Sequence, residues 1–91
     1  MLSQRFIQDF GLAVRQLREA RNWSQEQLAA QSNLNRSYVG EIERGKVAPS
    51  LVTLHKLALA LLISASELLI HAEHIHTLRQ SQLQHLVAIA G

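Results

Sequence analysis

The chain has no cysteine, a single proline, four glycines and only four aromatic residues among 91. The missing cysteines rule out a disulfide framework and any thiolate metal site, and they fit a reducing compartment, so the cytoplasm is the expected location. With so few aromatics, the apolar content comes from Leu, Ala and Ile, which favour helices; strands draw on aromatic and β-branched residues. The formal charge is only +2, too small to announce a polyanionic partner by itself. No apolar run at the amino end is flanked by basic residues and a small-residue cleavage site, so "MLSQRFIQDFG" does not read as a signal peptide. The longest apolar window, Leu51 to Ile70, approaches the length of a membrane span. His55, Lys56 and Glu67 interrupt it, however, and Ser64 and Ser66 divide it, so it reads as two buried helices and no membrane partner is expected.

What is present is helical periodicity with strong punctuation. Phe6, Phe10, Ala13, Val14, Leu17 and Ala20 recur at three- and four-residue intervals and predict a first helix over 4–21. Asn22 suits a left-handed position at its end. Ser24 with Gln27 forms a capping box, and Trp23 with Leu28 a hydrophobic staple, so a second helix runs from Gln25 to about Gln31. Asn33 suits the sharp turn that follows. Asn35 caps a third helix, which continues to Arg44 and stops at Gly45. Ser50 caps a fourth, with Leu54, Leu57, Ala58 and Leu61 facing inward. Ser64 with Glu67 makes a second capping box and starts a fifth helix near Ala65. Beyond His71 the pattern fits an extended fifth helix, a separate short helix from Ser81, or partial disorder.

The second and third helices are separated by about three residues, with the small Ala29 at their crossing. Val39 and Ile42 anchor the third helix to the core. Its opposite face carries Ser37, Gly40, Glu41 and Arg44, with Arg36 at the exposed amino-terminal edge and Tyr38 at the border of the buried face. This is the geometry of a helix-turn-helix whose second helix enters a major groove amino end first. Arg36 can donate a bidentate pair to guanine and Ser37 can bond to several base edges. Asn35 can reach a base or a phosphate. The free N–H groups near Ser24 and Gln25 favour a phosphate oxygen, and Arg44 and Lys46 can hold the backbone at the far end. Gln25 is either a helix former after its cap or a phosphate contact that also orients Arg36. Tyr38 is either core edge or phosphate contact. Gly40 is either a tolerated defect or a missing side chain that lets the helix approach DNA or a neighbour.

The segments "LREARNWSQEQLA", "IERG" and "PSLVTLHKLALAL" resemble the helix-turn-helix of the phage repressor and Cro family, also called the Xre family, over roughly residues 8–70. "SNLNRSYVGEIERG" is similar to the restriction–modification controller proteins within it. The resemblance implies an all-α, five-helix repressor-like domain, here residues 1–71, a homodimer, and a palindromic double-stranded DNA operator. It also implies that Gln25, Asn35, Arg36 and Ser37 face DNA, and that Glu43 is structural and pairs with Arg15 or Arg18. Many family members carry glycine where this chain has Asn33.

Val52, Leu59, Leu62, Leu69 and Ile70 exceed what one small core needs, and they are the candidate dimer interface. Residues 72–91 form a C-terminal extension, helical or partly disordered, and a candidate part of that interface. An alternative function is an antitoxin that binds a protein partner through this segment and regulates its own operon. His71 and His74 share a helical face, but there is no cysteine and no nearby carboxylate pair other than Glu67 and Glu73, so solvated or interface histidines are the expectation and neither a metal nor another cofactor is expected. No nucleophile elbow or Ser–His–Asp spacing points to an enzyme.

Overall fold

The computed structural model describes residues 2–90, with side chains from Gln4 onward. Five helices account for nearly all of it: α1 (Leu2–Ala20), α2 (Gln25–Ser32), α3 (Arg36–Glu43), α4 (Leu51–Ala60) and α5 (Ala65–Ala90). The all-α, five-helix expectation holds, and the boundaries fall where capping chemistry puts them. Ser24 accepts the Gln27 N–H while Gln27 closes the box on the Ser24 N–H. Asn35 Oδ1 accepts the Tyr38 N–H at 2.7 Å, and Ser50 accepts that of Thr53. Ser64 and Glu67 bond reciprocally; the Ser64 backbone N–H, then its hydroxyl, holds the Glu67 carboxyl below its ordinary value. Asn22 and Asn33 both take positive φ, as asparagine in a tight helix–helix turn allows.

The core joins Phe10, Ala13 and Val14 of α1 to Leu28 and Ala29, Val39 and Ile42, Leu54, Leu57, Ala58 and Leu61, and Leu68 and Ala72 of α5. Three expectations need correction. Ala20 is exposed, because the last turn of α1 runs past the core. Arg44 caps α3 rather than belonging to it. The two helices of the long apolar window are buried on one side only: Leu51, Val52, Leu59, Leu62, Leu69 and Ile70 stay exposed. No single helix among the described residues is long and apolar enough to cross a membrane; α4 and α5 together would be, but they bend by 97° at the break between them.

Two features hold the helices at fixed separations. Gly11 lies against the α3 backbone: a methyl group there would overlap the Ile42 carbonyl oxygen and come within 2.8 Å of that of Glu43. A carbonyl in a helix cannot swing aside as a side chain can, so α1 and α3 touch through a missing Cβ. Gly11→Ala should therefore lower stability by about 1–3 kcal/mol or more, read as a fall in the thermal midpoint. An unchanged midpoint would mean that α1 and α3 separate freely.

The second feature is the carboxylate of Asp9, fully buried on α1. His76 Nδ1 sits 2.8 Å from its Oδ2, and Arg79 Nε 2.8 Å from its Oδ1. Phe6 packs edge-on against the His76 ring, centroids 5.6 Å apart, and His71 Nε2 meets Gln16 Oε1 at 2.9 Å. A buried carboxylate is tolerable only when paired and fully bonded, and among the described residues every buried side-chain polar atom has a partner. These contacts, 55 to 70 residues apart in sequence, bind α5 antiparallel along α1. The segment after His71 is thus one uninterrupted continuation of α5.

Candidate nucleic-acid interface

The third helix is short, and its position depends on what lies beneath it. Glu43, buried at its end, accepts from Arg18 Nε at 2.7 Å and from Nη2 at 3.0 Å. Arg18 Nη1 also donates to the Trp23 carbonyl at 2.7 Å, tying the start of α2 into the same node. The hydrogen bond to Glu43 pushes the Arg18 pKa above its ordinary value, so this cation stays charged. Gln25 Nε2 completes the node with a bond to Glu43 Oε1 at 3.0 Å. Of the two arginines expected for Glu43, Arg18 is the partner. Arg15 turns outward, pairs with Glu19 at 3.3 Å, and lines an open cleft with Gln25 and Arg44.

Above this node the amino end of α3 is bare. Asn35, Arg36 and Ser37 are all exposed. Because Asn35 spends its carbonyl oxygen on the cap, its amide nitrogen is left for an outside acceptor. Arg36 is 63% exposed, with Glu26 as a loose neighbour at 3.8 Å. Ser24 is exposed but uses its hydroxyl in the capping box, so its contribution to a phosphate contact is the helix end it organises. With the Gln27 N–H taken, those of Gln25 and Glu26 remain without an intrahelical acceptor.

Three positions that the sequence leaves open have partners within the protein. Gln25 donates an Nε2 proton to Glu43, since a carboxylate can only accept. Tyr38 is half-buried with its hydroxyl 3.4 Å from Thr53 Oγ1, which puts it on the core edge and not among groups facing outward. Gly40 is buried: a methyl there would come within 3.0 Å of Arg44 Nη1 and 3.5 Å of Gln25 Oε1. Its missing side chain makes room for neighbours on the protein itself, so Gly40 is a floor under Arg44 and Gln25. Arg44 is exposed at the end of α3, beside Gln25 and Arg15. Lys46 is exposed in the following loop, its backbone N–H bonded to the Glu41 carbonyl. The face that remains is formed by Asn35, Arg36, Ser37, the amino end of α2, Arg15, Arg44 and Lys46. Arg15 was not expected there; only the choice of Arg18 by Glu43 frees it. Among the described residues no three His, Asp or Glu side chains gather as a metal site.

The pattern of the helix-turn-helix family HTH_3 matches residues 14–68. The chain belongs to this family. The immunity repressor protein of Bacillus phage phi105 is 45% identical over 56 residues, 62% of this chain but 39% of that protein, so the chain spans well under half of that relative's length. Among crystal structures, the restriction–modification controller protein C.AhdI from Aeromonas hydrophila is 52% identical with a TM-score of 0.67, covering 68% of this chain and 94% of that one. The clp gene regulator ClgR from Corynebacterium glutamicum is 27% identical with a TM-score of 0.83, covering 92% of this chain and 88% of that one. Covering 92% of this chain requires most of α5, so the long fifth helix has a counterpart in that structure.

Proposed function

We propose that the protein is a sequence-specific, double-stranded-DNA-binding transcriptional regulator that works as a homodimer on a palindromic operator. One observation carries the reading: Arg36 and Ser37 are the exposed side chains at the amino end of a helix held by a buried ion pair, with Arg15 and Arg44 beside it. Arginine and serine there can read base edges in a major groove, while the flanking cations and the amino end of α2 neutralise phosphates and set the register. The relatives named as a repressor, a controller and a gene regulator support the same conclusion.

Two copies are needed because one short helix reaches too few base pairs to choose a site in a genome. The exposed apolar side chains Leu59, Leu62, Leu69 and Ile70, at the junction of α4 and α5, supply the self-complementary patch. Leu62 is the most exposed of the four: it takes φ 60° while 79% exposed. The left-handed backbone is the one that ends α4, with the Ile63 N–H bonded to the Ala58 carbonyl, and it turns the Leu62 side chain out beside its apolar neighbours.

Selection of bound duplexes from a random pool tests the proposal. The enriched sequences should be palindromic, with half-site centres about 34 Å apart, one turn of the duplex. A pool without enrichment would overturn DNA reading, and a single unrepeated half-site would overturn the symmetric dimer.

A further inference from the structure

A carboxylate stands beside the guanidinium that faces the bases. Glu26 Oε1 lies 3.8 Å from Arg36 Nε, and the two side chains are 78 and 63% exposed. Both backbones are fixed. The capping box of Ser24 and Gln27 encloses Glu26 in the first turn of α2, and the Asn35 cap holds the start of α3. Neighbouring residues of that α2 turn part ways: Gln25 reaches down to Glu43, and Glu26 reaches across to Arg36. So open an ion pair contributes little to stability in water, and folding does not depend on it. On a face that meets phosphates, an acidic side chain also repels every duplex alike.

The position of the carboxylate decides what Arg36 can do. It sits on the Nε side, so the two terminal nitrogens, Nη1 and Nη2, stay free as a parallel pair of donors. Such a pair matches the adjacent O6 and N7 acceptors of guanine. Adenine puts a donor beside its N7, cytosine offers a donor, and thymine has one oxygen next to a methyl group. A guanidinium with no anchor carries five donors on a long, flexible stem. It takes the nearest phosphate, which every duplex supplies.

We propose that Glu26 is a specificity-determining residue, which keeps Arg36 on a guanine edge and off the phosphates. Water leaves as the duplex docks, and the attraction between Glu26 and Arg36 strengthens as the surrounding dielectric falls. When Arg36 turns to a phosphate, Glu26 is left unpaired among negative charges, which is costly. On guanine, Arg36 keeps its carboxylate and adds two bonds to the base. The pair therefore penalises a duplex without guanine at this position more than one that has it. Glu26 acts through Arg36 as a positioning residue, and its role requires no contact with DNA.

The inference rests on Arg36 as the base-reading residue, and the experiment separates the two. Glu26→Gln keeps the size of the side chain and removes its charge. Binding is titrated over a range of salt against the duplex selected from the random pool and against a scrambled duplex. The scrambled duplex should bind the variant more tightly. Its salt slope should be steeper by about 1 for each protomer bound, as each released Arg36 takes one phosphate. The ratio of operator to scrambled affinity should fall at least about tenfold, a part of what two arginine–guanine contacts supply. Selection repeated with Glu26→Gln should lose guanine at one position of the half-site and keep the others. That position should be the one that Arg36→Ala also loses. An unchanged ratio, or a loss spread evenly over the half-site, would make Glu26 a bystander charge and overturn the proposal while leaving Arg36 as the reader. If Arg36→Ala itself keeps the parent preference, base reading by Arg36 fails and the proposal falls with it.

Discussion

Arg36→Ala is expected to abolish operator discrimination while leaving the fold intact. A bidentate arginine–base pair accounts for about 1–3 kcal/mol, and the proposed dimer uses it twice, so roughly 2–6 kcal/mol is lost, or about 30-fold to 10⁴-fold in affinity. Stability should barely move. The side chain is mostly exposed and its pairing with Glu26 is long and solvated, a kind of contact that contributes about 0–1 kcal/mol. Titration of the variant against the selected operator and against scrambled duplex, beside a thermal melt, separates these effects. Arg44→Ala is the comparator: a phosphate contact should weaken all duplexes alike and reduce the salt slope by about 1. Unaltered operator preference in Arg36→Ala would move the reading function elsewhere on the face.

The second large effect is expected from below the surface. Glu43→Ala strips the partner from Arg18, whose side chain is only 11% exposed, and removes the acceptor that holds Gln25. Breaking a buried ion pair from one side costs about 3–5 kcal/mol, because the remaining charge is stranded. For a chain of this size that corresponds to a fall of at least about 12 °C in melting temperature. Glu43→Leu combined with Arg18→Met should recover much of the loss, since an apolar pair of similar volume leaves no buried charge and only the Trp23 carbonyl and the Gln25 amide lose a partner. A decrease of only a few degrees in Glu43→Ala would mean that water reaches Arg18 and that the node does not hold α3 in place.

Local chemistry in the sequence was enough to locate the helix boundaries. Ser24, Asn35, Ser50 and Ser64 act within three residues of themselves, and Asn22 and Asn33 announce their turns by residue type alone. The stripe of α1 was legible because its period is a property of the helix. Contacts between distant segments left no such trace. Nothing in "QDFG" says that Asp9 will be sealed by His76 and Arg79, nor that Gly11 will touch the α3 carbonyls. The choice between Arg15 and Arg18 depends on where the α1–α3 crossing falls. The contacts of Gln25 and Gly40 with Glu43 and Arg44 show the same limit: helical angle gives a direction, but not which neighbour stands there. Leu62 is the plainest case, since its left-handed backbone contradicts local preference and follows from the abrupt turn between α4 and α5.

The bare glycine at position 11 has one more implication. The distance between the first and third helices is set by main chain against main chain, so no side chain on the outward face takes part in fixing it. Arg36 and Ser37 can be replaced by other polar residues without disturbing the chassis, and a library of such replacements should yield folded proteins with new preferences. The lettering can be changed because the frame that carries it is built from different parts.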